Sequence, residues 1–191
     1  MVKSHGLVFS GNVLREVGAG VSLWSDATDD QHGWDISNNV IDVDPKSDSF
    51  NSGVIVASGE YGINDVSISG NTINCTDATT STSAHGIAFV YNMSNAMISD
   101  NLIKGFPRQG IYMYPDQSDE VSTQGLVSVT VSGNVVENCG ITGTGIHGSG
   151  ILVGGTSGGE NHHVYVMNNE VRDTNAIALM NYGISVYDYG S

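Results

Sequence analysis

The sequence predicts an all-β solenoid of about six coils, with three parallel sheets around one core. Two repeated segments predict this fold, one built around an asparagine and one led by a glycine, and they alternate along the 191 residues. The composition agrees, because only 14% of the residues are charged and no long helical pattern is present. Segments that recur every few tens of residues along a chain are the signature of stacked structural repeats.

The asparagine segment is the first element of each coil, and its six copies align without a gap. They are Leu7–Leu14, Trp34–Ile41, Val66–Ile73, Ala96–Ile103, Val129–Val136 and Val164–Val171. In every copy, apolar residues stand three positions before the asparagine and two positions after it. These two apolar columns are expected to fill the core.

The residue just before each asparagine is glycine, asparagine or aspartate, the types that best tolerate a positive φ. This predicts a sharp bend between two short strands. Identical bends stacked about 4.8 Å apart would place the asparagine amides one above another, each donating to one neighbour and accepting from the other. The sequence therefore predicts an interior asparagine ladder, which stabilises strands stacked in register.

The glycine-led segment is the second element, and alternation with β-branching predicts that it is a strand. Its copies begin at Gly20, Gly53, Gly86, Gly110, Gly150 and Gly183, at intervals of 33, 33, 24, 40 and 33 residues. The unequal intervals predict loops of variable length. Alternation points the residues after these glycines inward, namely Val21, Val54, Ile87, Ile111, Ile151 and Ile184. The first outward row is Ser22, Ile55, Ala88, Tyr112, Leu152 and Ser185.

A Gly-Ile-x-Val strand paired with an Ile-Ser-x-Asn-x-Ile strand resembles the right-handed parallel β-helix of the pectate-lyase-like superfamily, over nearly the whole chain. The resemblance implies a groove on the glycine-led sheet, between its two sets of loops. The polar, lysine-poor texture is similar to phage tailspike and polysaccharide-depolymerase modules. A shared fold does not by itself imply a shared activity.

We expect one β-helix domain over residues 1–191, forming a fragment or module of a longer chain. The reason is that the first and last coils lie at the two ends of the sequence, whereas solenoids need polar caps. Six Lys plus Arg stand against twenty Asp plus Glu, so the net charge is −14. This argues against nucleic acid and anionic membranes as partners.

One group of polar residues falls in coils three to five: His85, Arg108, Tyr112, Tyr114, Asp116 and His147. A base, an acid and a cation are what proton abstraction beside a uronate carboxylate requires. Tyr114-Pro115-Asp116 resembles in part the Tyr-x-x-Asp-Pro-His element of alginate epimerases, although the order differs and the histidine is missing. The alternative is that these are turn and loop residues without a catalytic role.

A glycosidase would instead need two carboxylates about 5 to 9 Å apart. Asp26 and Glu60 follow the glycine-led strands of adjacent coils and are the candidate pair, with solvated loop residues as the alternative. Trp24, Tyr114 and Tyr187 lie on the second outward row, where aromatic rings suit the apolar faces of sugars. Packing under a loop or a neighbouring subunit explains the same row.

No cofactor is predicted, although one acidic segment is considered as a Ca²⁺ site. Carboxylates alternate in Asp42–Asp48 and could hold Ca²⁺ through their oxygens. The segment contains a proline and lacks the bidentate glutamate of an EF-hand, so a plain acidic loop is the preferred interpretation.

The sequence thus predicts a carbohydrate-binding β-helix module whose partner is a polysaccharide. Whether it also degrades the polysaccharide, as a glycosidase or as a uronate lyase or epimerase, is left open. The resemblance to tailspikes implies a homotrimer on a virion surface or outside the cell. The alternative function is a structural or adhesive β-helix stalk without catalysis.

Overall fold

The structure is a computed structural model and describes residues 6–25, 31–45, 52–58, 63–78, 83–90, 93–113, 124–142, 145–155, 160–176 and 178–188. The described strands, in chain order, are β1 Val8–Ser10, β2 Val13–Val17, β3 Val21–Ser25, β4 Gln31–Ser37, β5 Val40–Val43, β6 Val54–Ser58, β7 Ile63–Ser69, β8 Thr72–Cys75, β9 Ile87–Val90, β10 Met93–Ser94, β11 Met97–Ser99, β12 Leu102–Lys104, β13 Ile111–Met113, β14 Gln124–Ser132, β15 Val135–Glu137, β16 Ser149–Gly155, β17 Glu160–Met167, β18 Glu170–Arg172 and β19 Tyr182–Asp188. A short 3₁₀ helix spans Gly145–Gly148.

The strands form three parallel sheets, which wind as a right-handed β-solenoid and confirm the predicted fold. Sheet A holds the strands before the asparagines, in the order β1-β4-β7, then β10 and β11 of one coil, then β14 and β17. Sheet B follows the asparagines in the order β18-β15-β12-β8-β5-β2. Sheet C is the glycine-led sheet, in the order β19-β16-β13-β9-β6-β3. Sheets B and C each have six strands, one for each predicted coil.

The asparagine ladder is present as predicted. The Asn71 Nδ2 atom donates to Asn101 Oδ1 at 2.9 Å and to the Ile36 carbonyl at 2.9 Å. Its Oδ1 atom accepts from the backbone N–H and the Nδ2 atom of Asn39, at 3.0 and 2.9 Å. All four hydrogen-bonding positions of the buried amide are therefore used, as burial of a polar group requires.

The bend before each asparagine has the predicted positive φ in all six coils. The residues are Gly11, Asn38, Gly70, Asp100, Gly133 and Asn168, with φ between 56° and 70°. A second column of positive φ lies six residues before each asparagine and was not predicted. Its members are Gly6, Gly33, Asp65, Asn95, Ser128 and His163. Four of the six are glycine, aspartate or asparagine, which is the signal that could have revealed this bend.

The glycines that lead sheet C are required because sheets B and C approach closely there. A Cβ on Gly86 would overlap the Cγ2 atom of Ile103 and the Gly110 carbonyl oxygen. The preceding coil repeats this relation between Gly53 and Ile73. The glycine column and the apolar column of sheet B therefore specify each other.

The core lies between the three sheets. Ile36, Ile68, Ile98 and Val131 stack in one column and are fully buried. The inward row of sheet C is also buried from Val21 to Ile151, but its last member, Ile184, is 45% exposed. None of the described residues form a helix with the length and apolarity of a membrane span.

Candidate functional site

A partly open hollow of about 260 Å³ lies on the outer side of sheet C. Its lining consists of Ser52, Ile55, Ser83, His85, Ala88, Val90, Arg108, Tyr112 and His147. Sheet C is where the sequence placed the functional groove. The hollow is therefore the candidate site.

The solenoid brings its polar residues together from different coils. His85 stands just before the glycine that leads β9, and Arg108 two residues before the glycine that leads β13. Tyr112 lies within β13, where it pairs with Ala88 of β9. His147 belongs to the 3₁₀ helix Gly145–Gly148, which enters β16. His85 and His147, which are 62 positions apart, thus share one surface, because parallel stacking sets neighbouring coils only about 4.8 Å apart.

His85 and Tyr112 form the centre of the hollow. Their rings stack with centroids 4.5 Å apart and an interplanar angle of 28°. The His85 Nδ1 atom is buried, while part of the ring remains exposed. Burial, followed by the neighbouring Arg108 and His147, lowers the pKa of His85 to about 3. At neutral pH the imidazole is therefore uncharged and can accept a hydrogen bond.

The hollow contains one fixed cation, Arg108, in an acidic protein. Its lining includes Arg108, His85 and His147, which are three of the twelve Lys, Arg and His residues of the chain. The described lining includes neither Asp nor Glu. Burial and Arg108 also lower the pKa of His147. Arg108 therefore supplies the fixed positive charge, and its imidazole neighbours are neutral at pH 7. Such a surface favours an anion, because Arg binds carboxylates through paired N–H groups.

The outward row of sheet C forms the apolar floor of the site. Ile55 and Ala88 are only 3% and 2% exposed, although their side chains point away from the core. Leu152, on the same row, is fully buried. Burial beneath other parts of the chain therefore accounts for these three residues. Ser83 adds a hydroxyl group to the lining, whereas Ser52 is 3% exposed and lies at the bottom of the hollow.

The structure brings together four of the predicted site residues, His85, Arg108, Tyr112 and His147. The other predicted catalytic residues, Asp26, Glu60 and Asp116, lie outside the described residues, as does Tyr114. Trp24 and Tyr187 lie in β3 and β19, but their side chains are outside the described part. The predictions for these six residues remain predictions.

The acidic segment considered for calcium is described only up to residue 45. Within it, Asp42 accepts a hydrogen bond from the Asn74 amide at 2.9 Å and lies 3.6 Å from the Arg15 guanidinium. Among the residues that the structure describes, no group of three or more His, Cys, Asp or Glu side chains is placed to hold a metal ion.

One buried polar residue beneath the hollow was missed by the sequence reasoning. Gln109 is fully buried, and its side chain lies close enough to the His85 ring to favour the protonated form of the imidazole. Ile87 pairs with Ile111, so His85 and Gln109 hold equivalent positions in neighbouring coils. Its place directly before Gly110, like that of His85 before Gly86, is the signal that could have found it.

Comparison with protein-family models, with curated proteins and with solved structures finds no match to this chain. The β-solenoid is therefore established by the structure itself. Any inference about function depends on the geometry of the hollow on sheet C.

Proposed function

We propose that this protein is a carbohydrate-binding β-helix module that holds an acidic sugar residue in the hollow on sheet C. The observation that carries the proposal is the convergence of His85, Arg108, Tyr112 and His147 over an apolar floor. No carboxylate accompanies them among the described lining residues. In a chain of net charge −14, the Arg108 guanidinium in the hollow is a group with which an anionic ligand could pair.

The shape and chemistry of the hollow suit one sugar ring. Its volume of about 260 Å³ is near the lower limit of roughly 300 Å³ for small-molecule pockets. Ile55 and Ala88 make the floor of the hollow apolar, although they are only 3% and 2% exposed and offer little surface to a sugar ring. Arg108 can pair with a carboxylate or sulfate, while Ser83 can bond to a hydroxyl group.

Binding is better supported than catalysis by the residues described. A histidine whose pKa is about 3 is a hydrogen-bond acceptor but a weak base for taking a proton from carbon. Lyase or epimerase chemistry would need a stronger base, and hydrolysis would need two carboxylates. Asp116, Asp26 and Glu60 are the predicted candidates for these roles.

The pectate-lyase-like and tailspike resemblance supports a polysaccharide as the ligand. It also carries the expectations of a homotrimer and of a place on a virion surface or outside the cell. These remain predictions.

A second candidate is a non-catalytic structural or adhesive stalk. One observation favours it: much of the outward row of sheet C is covered by the chain itself, with Leu152 fully buried. A stalk needs stable stacking and no ligand. It would therefore use the ladder and leave the hollow without a function.

The deciding experiment is a binding screen against acidic and neutral polysaccharides, read together with reducing-end release and with the absorbance of 4,5-unsaturated sugars. We expect binding to uronate or sulfated polymers and little binding to neutral ones. Arg108→Gln should weaken binding by about tenfold, because a charge-assisted hydrogen bond contributes about 1.5 kcal/mol or more. Arg15→Gln is the matched control, since that guanidinium is 71% exposed on sheet B.

Three outcomes separate the candidates. Binding that is lost in Arg108→Gln and kept in Arg15→Gln supports the acidic-sugar site. Equal weakening by both variants would indicate nonspecific charge attraction and would contradict the site. The absence of binding to any polysaccharide would favour the stalk.

A further inference from the structure

A buried polar column runs beneath the hollow, one residue per coil, at the position before each inward glycine. Its members in coils two to five are Ser52, His85, Gln109 and Ser149. Ser52 is 3% exposed, and Gln109 and Ser149 are fully buried. Unlike the asparagine column, this one changes residue type in every coil. Such a change within a repeating fold indicates a local requirement.

Gln109 is held directly beside His85 by the stacking of two coils. The Gly86 N–H donates to the Gln109 carbonyl at 3.1 Å, and the Ile87 N–H donates to the Gly110 carbonyl at 2.8 Å. These bonds fix the two backbones on either side of the His85 and Gln109 side chains. A fully buried amide needs hydrogen-bonding partners, and the His85 ring stands at the equivalent position of the neighbouring coil.

The chemistry of this contact indicates which ring nitrogen carries the proton. The Gln109 side chain favours the protonated form of the ring, as a carbonyl acceptor does. The buried nitrogen is Nδ1, which makes no hydrogen bond of ordinary geometry within the described residues. A proton on Nδ1 directed toward Gln109 Oε1 would satisfy this atom. Nε2 would then carry the lone pair, on a ring that lines the hollow.

We propose that Gln109 is a positioning residue: it holds His85 as the Nδ1–H tautomer, so that Nε2 presents a hydrogen-bond acceptor to a sugar hydroxyl in the hollow. The Nε2 acceptor restricts the class of ligand that the hollow can bind. Arg108 pairs with the acidic group, and His85 requires a free hydroxyl near it. A sugar acid with that hydroxyl acylated or removed is rejected, because a buried acceptor would lose its partner. The assignment of the ligand rests on the proposed function, whereas the assignment of the tautomer does not.

The tautomer is tested in the free protein by long-range ¹H–¹⁵N correlation spectra of the histidine rings, with His85→Gln assigning the signals. The wild type should show the Nδ1–H pattern for His85. Gln109→Glu keeps an acceptor and should retain this pattern, whereas Gln109→Met, of similar length but without an acceptor, should shift His85 toward Nε2–H. An Nε2–H wild type overturns the proposal, whether or not the Met variant folds. An unchanged tautomer in a folded Met variant overturns it as well.

The ligand part is tested by titrating tri-galacturonate and its O-acetylated form into the wild type and the two Gln109 variants. We expect acetylation to weaken binding to the wild type about tenfold or more, and to have a smaller effect on Gln109→Met. Equal binding of the two probes by the wild type overturns the role of Nε2. If neither probe binds while sulfated and other uronate polymers also fail, the proposed function is wrong, and the tautomer spectrum still decides the role of Gln109.

Discussion

The asparagine corner and the corner beneath the hollow are both columns of buried polar side chains, yet they differ in regularity. The ladder repeats one residue, and each interior amide bonds to the same groups in the coils on either side. In the column of Ser52, His85, Gln109 and Ser149, the side chain changes from each coil to the next. The regular column stabilises stacking, because every coil forms the same hydrogen bonds with its neighbours. Irregularity marks the place where one surface differs from the others.

The largest expected effect is on the packing that both corners share. Gly86→Ala would place a Cβ against Ile103 and the Gly110 carbonyl, neither of which is a flexible chain end. We expect a loss of about 3 kcal/mol in the free energy of unfolding, measured by urea denaturation. Gly183→Ala is the matched control, because its nearest neighbour is Val171 at 3.9 Å. Similar losses in both variants would show that close packing is not the reason for the glycines.

The ladder itself should respond next. Asn101→Ala removes the acceptor for the Asn71 amide and the donor to the Ile68 carbonyl, all within the buried core. We expect a loss of about 2 kcal/mol. Asn12→Ala, at the exposed end of the same ladder, should cost about 0.5 kcal/mol, since water replaces the lost bonds. An unfolding midpoint that does not move in Asn101→Ala would remove the ladder as a source of stability.

His85, in the hollow, should make the stability of the protein depend on pH. The pKa of His85 is lowered from 6.5 to about 3 in the folded protein, mainly by burial, so the unfolded chain binds the extra proton. This stability is complete above about pH 6.5 and is lost as the pH falls toward 3. One proton gives a slope of up to about 1.4 kcal/mol per pH unit, or about 1 kcal/mol between pH 7 and pH 5.5. His85→Gln should flatten that part of the profile. A wild-type profile as flat as that of the variant would contradict a buried neutral imidazole.

The smallest effect on stability is expected for the residue most important to the proposed ligand. Arg108→Gln should change the free energy of unfolding by no more than about 0.5 kcal/mol while weakening binding to acidic polysaccharides. Thermal denaturation with and without the polysaccharide measures both effects. A large loss of stability in the unbound variant would assign Arg108 to the scaffold, and the contrast between the two corners would fail.

Much of the scaffold was predictable, because each coil repeats the same physical solution. The glycine, asparagine or aspartate before each ladder residue predicted the positive φ, and all six bends have it. The second bend escaped prediction because Ser128 and His163 interrupt the glycine, aspartate and asparagine in its column. Gln109 escaped because a single glutamine in a short loop resembles any solvated residue until its burial is known.

The sequence by itself determined the coil: which residues face the core, where the chain bends, and which glycines the packing requires. These features follow from local patterns that recur at each level of the solenoid. Only the tertiary structure decided that His85, Arg108, Tyr112 and His147 share one hollow. The loops between the repeats differ in length, and the glycine intervals before and after β13 are 24 and 40 residues. No repeat in the sequence therefore predicts which of these side chains meet. The tertiary structure also decided that the outward Ile55 and Leu152 are buried, which alternation within a strand does not predict.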